Sequence, residues 1–132
     1  MGLTLLRMQF TVPGNPRTKK NSQIVVNHIP IPSKAYRDYA RDTAVWWKHQ
    51  AAVLQRPIDY PINVQCVYYM QTRRRVDMVN LLEASLDIMV EYGILQDDNC
   101  SIVAGHDGSR VLYDKDNPRV EITITRIEGE RE

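Results

Sequence analysis

The chain has 132 residues, enough for one domain to bury a core without disulfides or a structural metal. Apolar residues at 43% and charged residues at 25% match an ordinary globular protein, and no segment reaches the roughly 20 apolar residues of a membrane span. The net charge of +1 hides a division: residues 1–75 carry 12 Lys or Arg against 3 acids, and residues 76–132 carry 5 against 13. A basic half joined to an acidic half suits an enzyme that grips a polyanion and holds metal ions against it. The competing reading is a surface on which folding intersperses the signs. Cys66 and Cys100 lack metal-type spacing and read as reduced thiols of a cytoplasmic protein. Met1–Phe10 carries Arg7 within its apolar run and no small-residue cleavage site follows, so it does not read as a secretory signal.

In chain order, Leu3–Val12 is rich in β-formers and ends at Pro13-Gly14-Asn15-Pro16, which predicts a strand and a turn. A polar loop follows with Arg17, Lys19 and Lys20, and Ile24–Ile31 predicts a second strand. Ser33 caps a helix expected over Lys34–Leu54, where Tyr36, Tyr39, Ala40, Thr43, Trp46, Trp47 and Ala51 recur at three- and four-residue spacing. Pro57 and Pro61 bracket a linker before Ile62–Gln71, whose alternation predicts a strand. After Arg73-Arg74-Arg75, Asp77 opens a helix to about Tyr92 that stops at Gly93. An acidic turn over Leu95–Asn99, a strand over Ser101–His106, a polar loop over Asp107–Pro118 and a strand over Arg119–Ile127 complete the series. The expected fold is α+β: one domain over residues 1–132, a mixed or antiparallel sheet packed against two main helices.

The second helix carries the chemistry. At 100° per residue, Asp77, Asn80, Glu83, Asp87 and Glu91 share one arc of about 120°. A wet helix face normally mixes its charges. This stripe has no base, and it sets Glu83 against Asp87 and Asp87 against Glu91 at i,i+4, where like charges destabilise. The chain then delivers Asp97 and Asp98, and a hard divalent cation takes carboxylate oxygens from separate elements in this way.

The run Arg73-Arg74-Arg75-Val76-Asp77-Met78-Val79-Asn80-Leu81-Leu82, continued by Leu86-Asp87 and Tyr92-Gly93-Ile94-Leu95-Gln96-Asp97-Asp98, resembles the signature of the RusA-type Holliday-junction resolvases. In that family an arginine-rich strand end leads into Asp-x-Asp-Asn-x-x-Lys on a helix, then to an Asp, a glycine and an Asp-Asp pair. The spacing from Asp77 to Asp98 matches without a gap. The likeness is strong over residues 62–106 and weaker towards both ends. It implies a homodimeric endonuclease that cuts four-way DNA junctions with Mg²⁺ (or Mn²⁺) in recombination and repair. By position, Asp77 matches the first catalytic aspartate and Asp98 the last.

Two positions depart from the pattern. Val79 stands where the family has its second aspartate, and Glu83 where it has a lysine. Glu83 lies one turn beyond Val79 on the polar stripe, so a relocated carboxylate gives a catalytic and metal set of Asp77, Glu83 and Asp98, with Asp87 or Asp97 in support. Arg75, Lys19 or Lys20 replaces the lost lysine charge. Arg17, Lys19, Lys20, Arg73, Arg74 and Arg75 form the expected DNA phosphate track. The dimer interface is assigned to the Ile24–Ile31 strand or to the tyrosines of the first helix. Two rival readings stand: a junction-binding protein that no longer cuts, and a nuclease for other branched DNA. Trp46 and Trp47 read as core residues before base-stacking ones, and Arg110 and Lys115 either hold DNA or sit on a solvated hairpin end.

Overall fold

A computed structural model describes residues 7–19, 24–26 and 29–127. The strands are β1 (Arg7–Pro13), β2 (Ile24–Val26), β3 (Ile29–Ile31), β4 (Ile62–Met70), β5 (Val103–Gly105), β6 (Arg110–Tyr113) and β7 (Arg119–Arg126). The helices are α1 (Lys34–Asp42), α2 (Ala44–Leu54) and α3 (Met78–Glu91). The α+β expectation holds, with three helices and a mixed five-stranded sheet.

β7 is the hub of the sheet, antiparallel to β1 on one side and to β4 on the other. The far edge of β4 is shared by two short parallel partners: β5 beside Ile62 and Asn63, and β6 beside Val67–Met70. Between them side chains replace the ladder. Asn63 donates to the Asp107 carbonyl (3.1 Å) and accepts from its N–H (2.8 Å), and the Ser109 hydroxyl accepts from the Cys66 N–H (3.0 Å). Gly108 makes the turn possible. Its φ is +87°, and a Cβ there would stand 2.9 Å from the Gln65 side chain.

Alternation puts Met8, Phe10 and Val12, Ile62, Val64, Cys66 and Tyr68, and Val120, Ile122 and Ile124 on one buried face. Leu81, Leu82, Ser85, Ile88 and Met89 of α3 join the same core, where the Tyr68 hydroxyl and Ser85 share a hydrogen bond of 2.9 Å. Phe10 meets Trp47 edge to face, with centroids 6.0 Å apart, which ties β1 to α2.

Three expectations change. The helix expected over Lys34–Leu54 has the right ends but breaks at Thr43, whose ψ of 0° leaves the helical range. The Thr43 hydroxyl donates to the Tyr39 carbonyl (2.6 Å) and accepts from the Trp47 indole N–H (2.8 Å), competing with the helix ladder at that turn. The Ile24–Ile31 strand is instead a hairpin of β2 and β3, with side chains over 24–30 outside the described residues. The loop expected over Asp107–Pro118 contains β6, held in place by its parallel pairing with β4.

Candidate active site

The start of α3 is built by Asp77. Its carboxylate accepts from the Val79 N–H at 2.9 Å, the usual work of an N-cap, and it lines a cleft of about 470 Å³ with Thr18, Arg75, Val76 and Asn80. The helix ends at Tyr92, with Gly93 at φ +84°. The chain is then pinned beside the start of β4: the Ile58 N–H donates to Ile94 (2.9 Å) and the Gln96 N–H donates back to Ile58 (2.9 Å). That anchor fixes where Asp97 and Asp98 emerge.

The polar stripe is present. Leu81, Leu82, Ala84, Ser85, Leu86, Ile88 and Met89 are buried, while Glu83 and Glu91 are exposed and Asn80 and Asp87 half-buried. At 1.5 Å per residue the stripe is a row, running about 15 Å from Asp77 to Asp87. Among the described residues no group of three or more His, Cys, Asp or Glu side chains is arranged to hold a metal ion.

The far end of the row is electrostatically crowded. Asp98 is held above the ordinary carboxylate range, first by burial and then by Asp97 and Asp87. Asp97 is held below it, first because it accepts from the Asp98 N–H at 2.7 Å. Within this pair Asp98 keeps its proton longer. The donors are hard oxygens, the ligand type of Mg²⁺ and Mn²⁺, and a cation would relieve the repulsion that Asp98 feels. The chemistry of the set fits such an ion, although the side chains are not closed around one.

The positive charge beside this cluster comes from the basic loop. Lys19 reaches Asp87 at 2.6 Å, and its ammonium lies 5.7 Å from the Tyr36 ring centroid. Tyr36 has its hydroxyl pKa raised by burial, then by Asp87 and Glu91, so all four residues meet at one place. The loop is positioned by Asn15, which accepts from the Gln71 N–H (2.9 Å) at the end of β4, and by the Lys19 carbonyl, which accepts from Ser33 N–H (3.3 Å).

The other sequence-derived candidates fall around this loop. Arg75 joins Asp77 in the cleft, Arg74 is exposed, and Arg73 stacks its guanidinium 4.2 Å from the Tyr113 ring centroid. Arg17 lines a second cleft, and Lys20 lies outside the described residues. Val79, at the position of the family's second aspartate, is 65% exposed. Arg110 and Lys115 are exposed, with Arg110 opening β6. Tyr36 and Tyr39 are buried in the chain's own core, which removes them as a dimer surface. Sequence reasoning missed Thr18, and it placed Tyr36 on the helix spacing or at a dimer interface rather than beside the acidic row; the opposite signs of Lys19 and the stripe were the available signal.

The sequence matches the family described as Endodeoxyribonuclease RusA over residues 11–125. The chain belongs to the RusA endodeoxyribonuclease family. No curated protein matches it significantly. Membership in the RusA family implies nuclease action on Holliday junctions. In this RusA-family chain the match spans β1 to β7, so the basic loop and the closing strand belong to it as much as the acidic helix does. No described helix is long and apolar enough to cross a membrane.

Proposed function

We propose that this chain is a divalent-metal-dependent endonuclease that cuts four-way DNA junctions as a homodimer in the cytoplasm, with one or two Mg²⁺ or Mn²⁺ ions held along the row by Asp77, Glu83 and Asp98 and supported by Asp87 and Asp97. The observation that carries the proposal is the juxtaposition at Asp98: its N–H donates to Asp97 (2.7 Å), burial and then the Asp97 and Asp87 carboxylates raise its carboxyl, and Lys19 of the basic loop reaches Asp87 at 2.6 Å. Bound there, the ion would supply an activated water and neutralise charge on the phosphate. The chain's own residues do the rest. Arg75 at the Asp77 cleft, with Arg17, Lys20, Arg73 and Arg74, positions the phosphates. Lys19, already over the acidic row, is the cation available to the scissile phosphate when it leaves Asp87, and it stands in for the family lysine that Glu83 replaces. A twofold junction calls for two copies of the site, which a homodimer provides.

The exposed valine at position 79 favours one rival, a junction-binding protein that does not cut. Labelled four-way junctions incubated with the wild type, Asp98→Asn and Glu83→Ala, with and without Mg²⁺, separate the two. The proposal expects paired nicks from the wild type and a loss of roughly 100-fold or more in each variant, beyond the 10–100-fold typical of outer-shell changes. Cutting retained by Glu83→Ala removes Glu83 from the set. Tight binding without cutting by the wild type in Mg²⁺ and Mn²⁺ establishes the rival. Sedimentation at micromolar concentration checks the dimer, and a strict monomer would count against two facing sites.

A further inference from the structure

Trp46 and Trp47 are sequence neighbours with opposite fates. Trp47 is completely buried and hydrogen-bonded, while Trp46 is 41% exposed. The break at Thr43 places Trp46 in the first turn of α2. There it lines a cleft of about 680 Å³ between α1 and the turn after β1, a size within the ordinary range of small-ligand sites. Gly14, at φ +119°, brings that turn close: a Cβ there would sit 3.5 Å from both Thr43 and Tyr39. The other walls are charged. Arg17 brings a cation and Asp42 a carboxylate, while Lys34 and Asp38 are paired with each other at 2.6 Å.

This cleft touches the active site through one stretch of chain. Arg17 lines it, Thr18 lines the Asp77 cleft, and Lys19 pairs with Asp87. Consecutive Cα atoms are about 3.8 Å apart, so the two clefts lie on either side of a single loop. A nucleic acid held at the active site by its phosphates would therefore run past the loop that separates this site from the Trp46 cleft.

We propose that the Trp46 cleft is a nucleobase site that receives a base unstacked at the branch point of the bound DNA. The inference rests on the proposed action on branched DNA and adds a subsite to it. An indole accepts any base face without sequence preference. Arg17 suits the adjoining phosphate, and the second carboxylate oxygen of Asp42, whose Oδ1 accepts from Arg41 (3.1 Å), suits a base N–H donor. Fully paired duplex offers no such base, so the cleft would favour junctions over linear DNA.

Trp46→Ala should weaken junction binding about ten-fold in Ca²⁺, leave linear duplex binding unchanged, and keep the wild-type melting temperature because the side chain is exposed. Trp46→Phe should retain most of the affinity. With an abasic nucleotide at the branch point, the difference between wild type and Trp46→Ala should disappear. Junction binding should also quench the fluorescence of Trp46, with buried Trp47 as the internal reference. Equal junction affinity of Trp46→Ala and wild type would overturn the base site while leaving the junction reading intact. Equal losses on junction and duplex would also overturn it. Failure of the wild type to bind branched DNA would instead sink the junction reading. Quenching that follows protein concentration without DNA would assign the cleft to a second copy and overturn the base assignment.

Discussion

At Asp98, one proton would link folding to the proposed chemistry. Burial and the charges of Asp97 and Asp87 raise its pKa, so folding favours the protonated acid. That stabilisation is complete below the unfolded value of about 3.9 and is lost as pH rises through the raised folded value. Asp97, lowered, runs the other way: its contribution is present above the unfolded value and lost as pH falls through the folded one. In metal-free urea unfolding, Asp98→Asn should be at least as stable as the wild type at pH 7, with the two converging towards pH 4. A variant clearly weaker at pH 7 would contradict the crowding. Cutting by the wild type should lose its acid limb at a higher pH than an ordinary carboxylate would give. A second residue, Thr43, holds the helix break and the Trp47 indole together. Thr43→Val leaves that buried N–H without its acceptor, which costs about 1–3 kcal/mol, readable as a lower urea midpoint.

Among the elements, α3 was the most legible in the sequence and β6 the least. The apolar arc of α3, Asp77 at its start and Gly93 past its end are all local signals, and each held. β4 and β7 were legible for the same reason: their alternation is uninterrupted, and it matches the buried positions. β6 has four residues, only Val111 and Tyr113 with any β character on either face, and it exists because β4 offers an edge to pair with. The break at Thr43 was hidden because threonine fits the three-and-four spacing and only its hydroxyl contacts give it away. Spacing also placed Trp46 and Trp47 together, and the 100° between them decided which was buried. In the site, the acidic row and the Asp97-Asp98 pair could be read, whereas the pairing of Lys19 with Asp87 is a contact between distant segments that no local pattern encodes. The departures on α3 make a direct test. Val79→Asp restores a carboxylate one turn before Glu83, and should rescue Glu83→Ala cutting at least about ten-fold in Mn²⁺. No rescue would mean that the two positions do not serve the same ion.

For the molecule as a whole, the basic track and the acidic row meet along one loop, and salt dependence reports how that meeting changes on binding DNA. Arg74 is exposed, and on the proposed phosphate track its guanidinium would displace counterions from DNA. Arg74→Gln should therefore lower the slope of log affinity against log salt by about 0.9. Lys19 differs, because its charge is already matched by Asp87 in the free protein. Lys19→Gln should lower the slope by clearly less while still reducing cutting. Equal slopes for the two variants would mean that the Lys19–Asp87 pair is open in solution.

The position of β7 in the sheet also governs how the chain acquires its shape. Among the described residues β1 pairs with β7 alone, and β4, which carries β5 and β6 on its far edge, reaches β1 only through β7, so Arg7 waits for Thr125 and Ile62 for Arg126. During synthesis the helices can coil as they emerge, yet β1 has no strand partner and β4 lacks its antiparallel one until Arg119–Arg126 has been made. Such late, long-range pairing slows folding and leaves a sticky intermediate in the meantime. A nascent chain stalled before Arg119 is thus a client for chaperones, and a version ending at Pro118 should accumulate in the insoluble fraction.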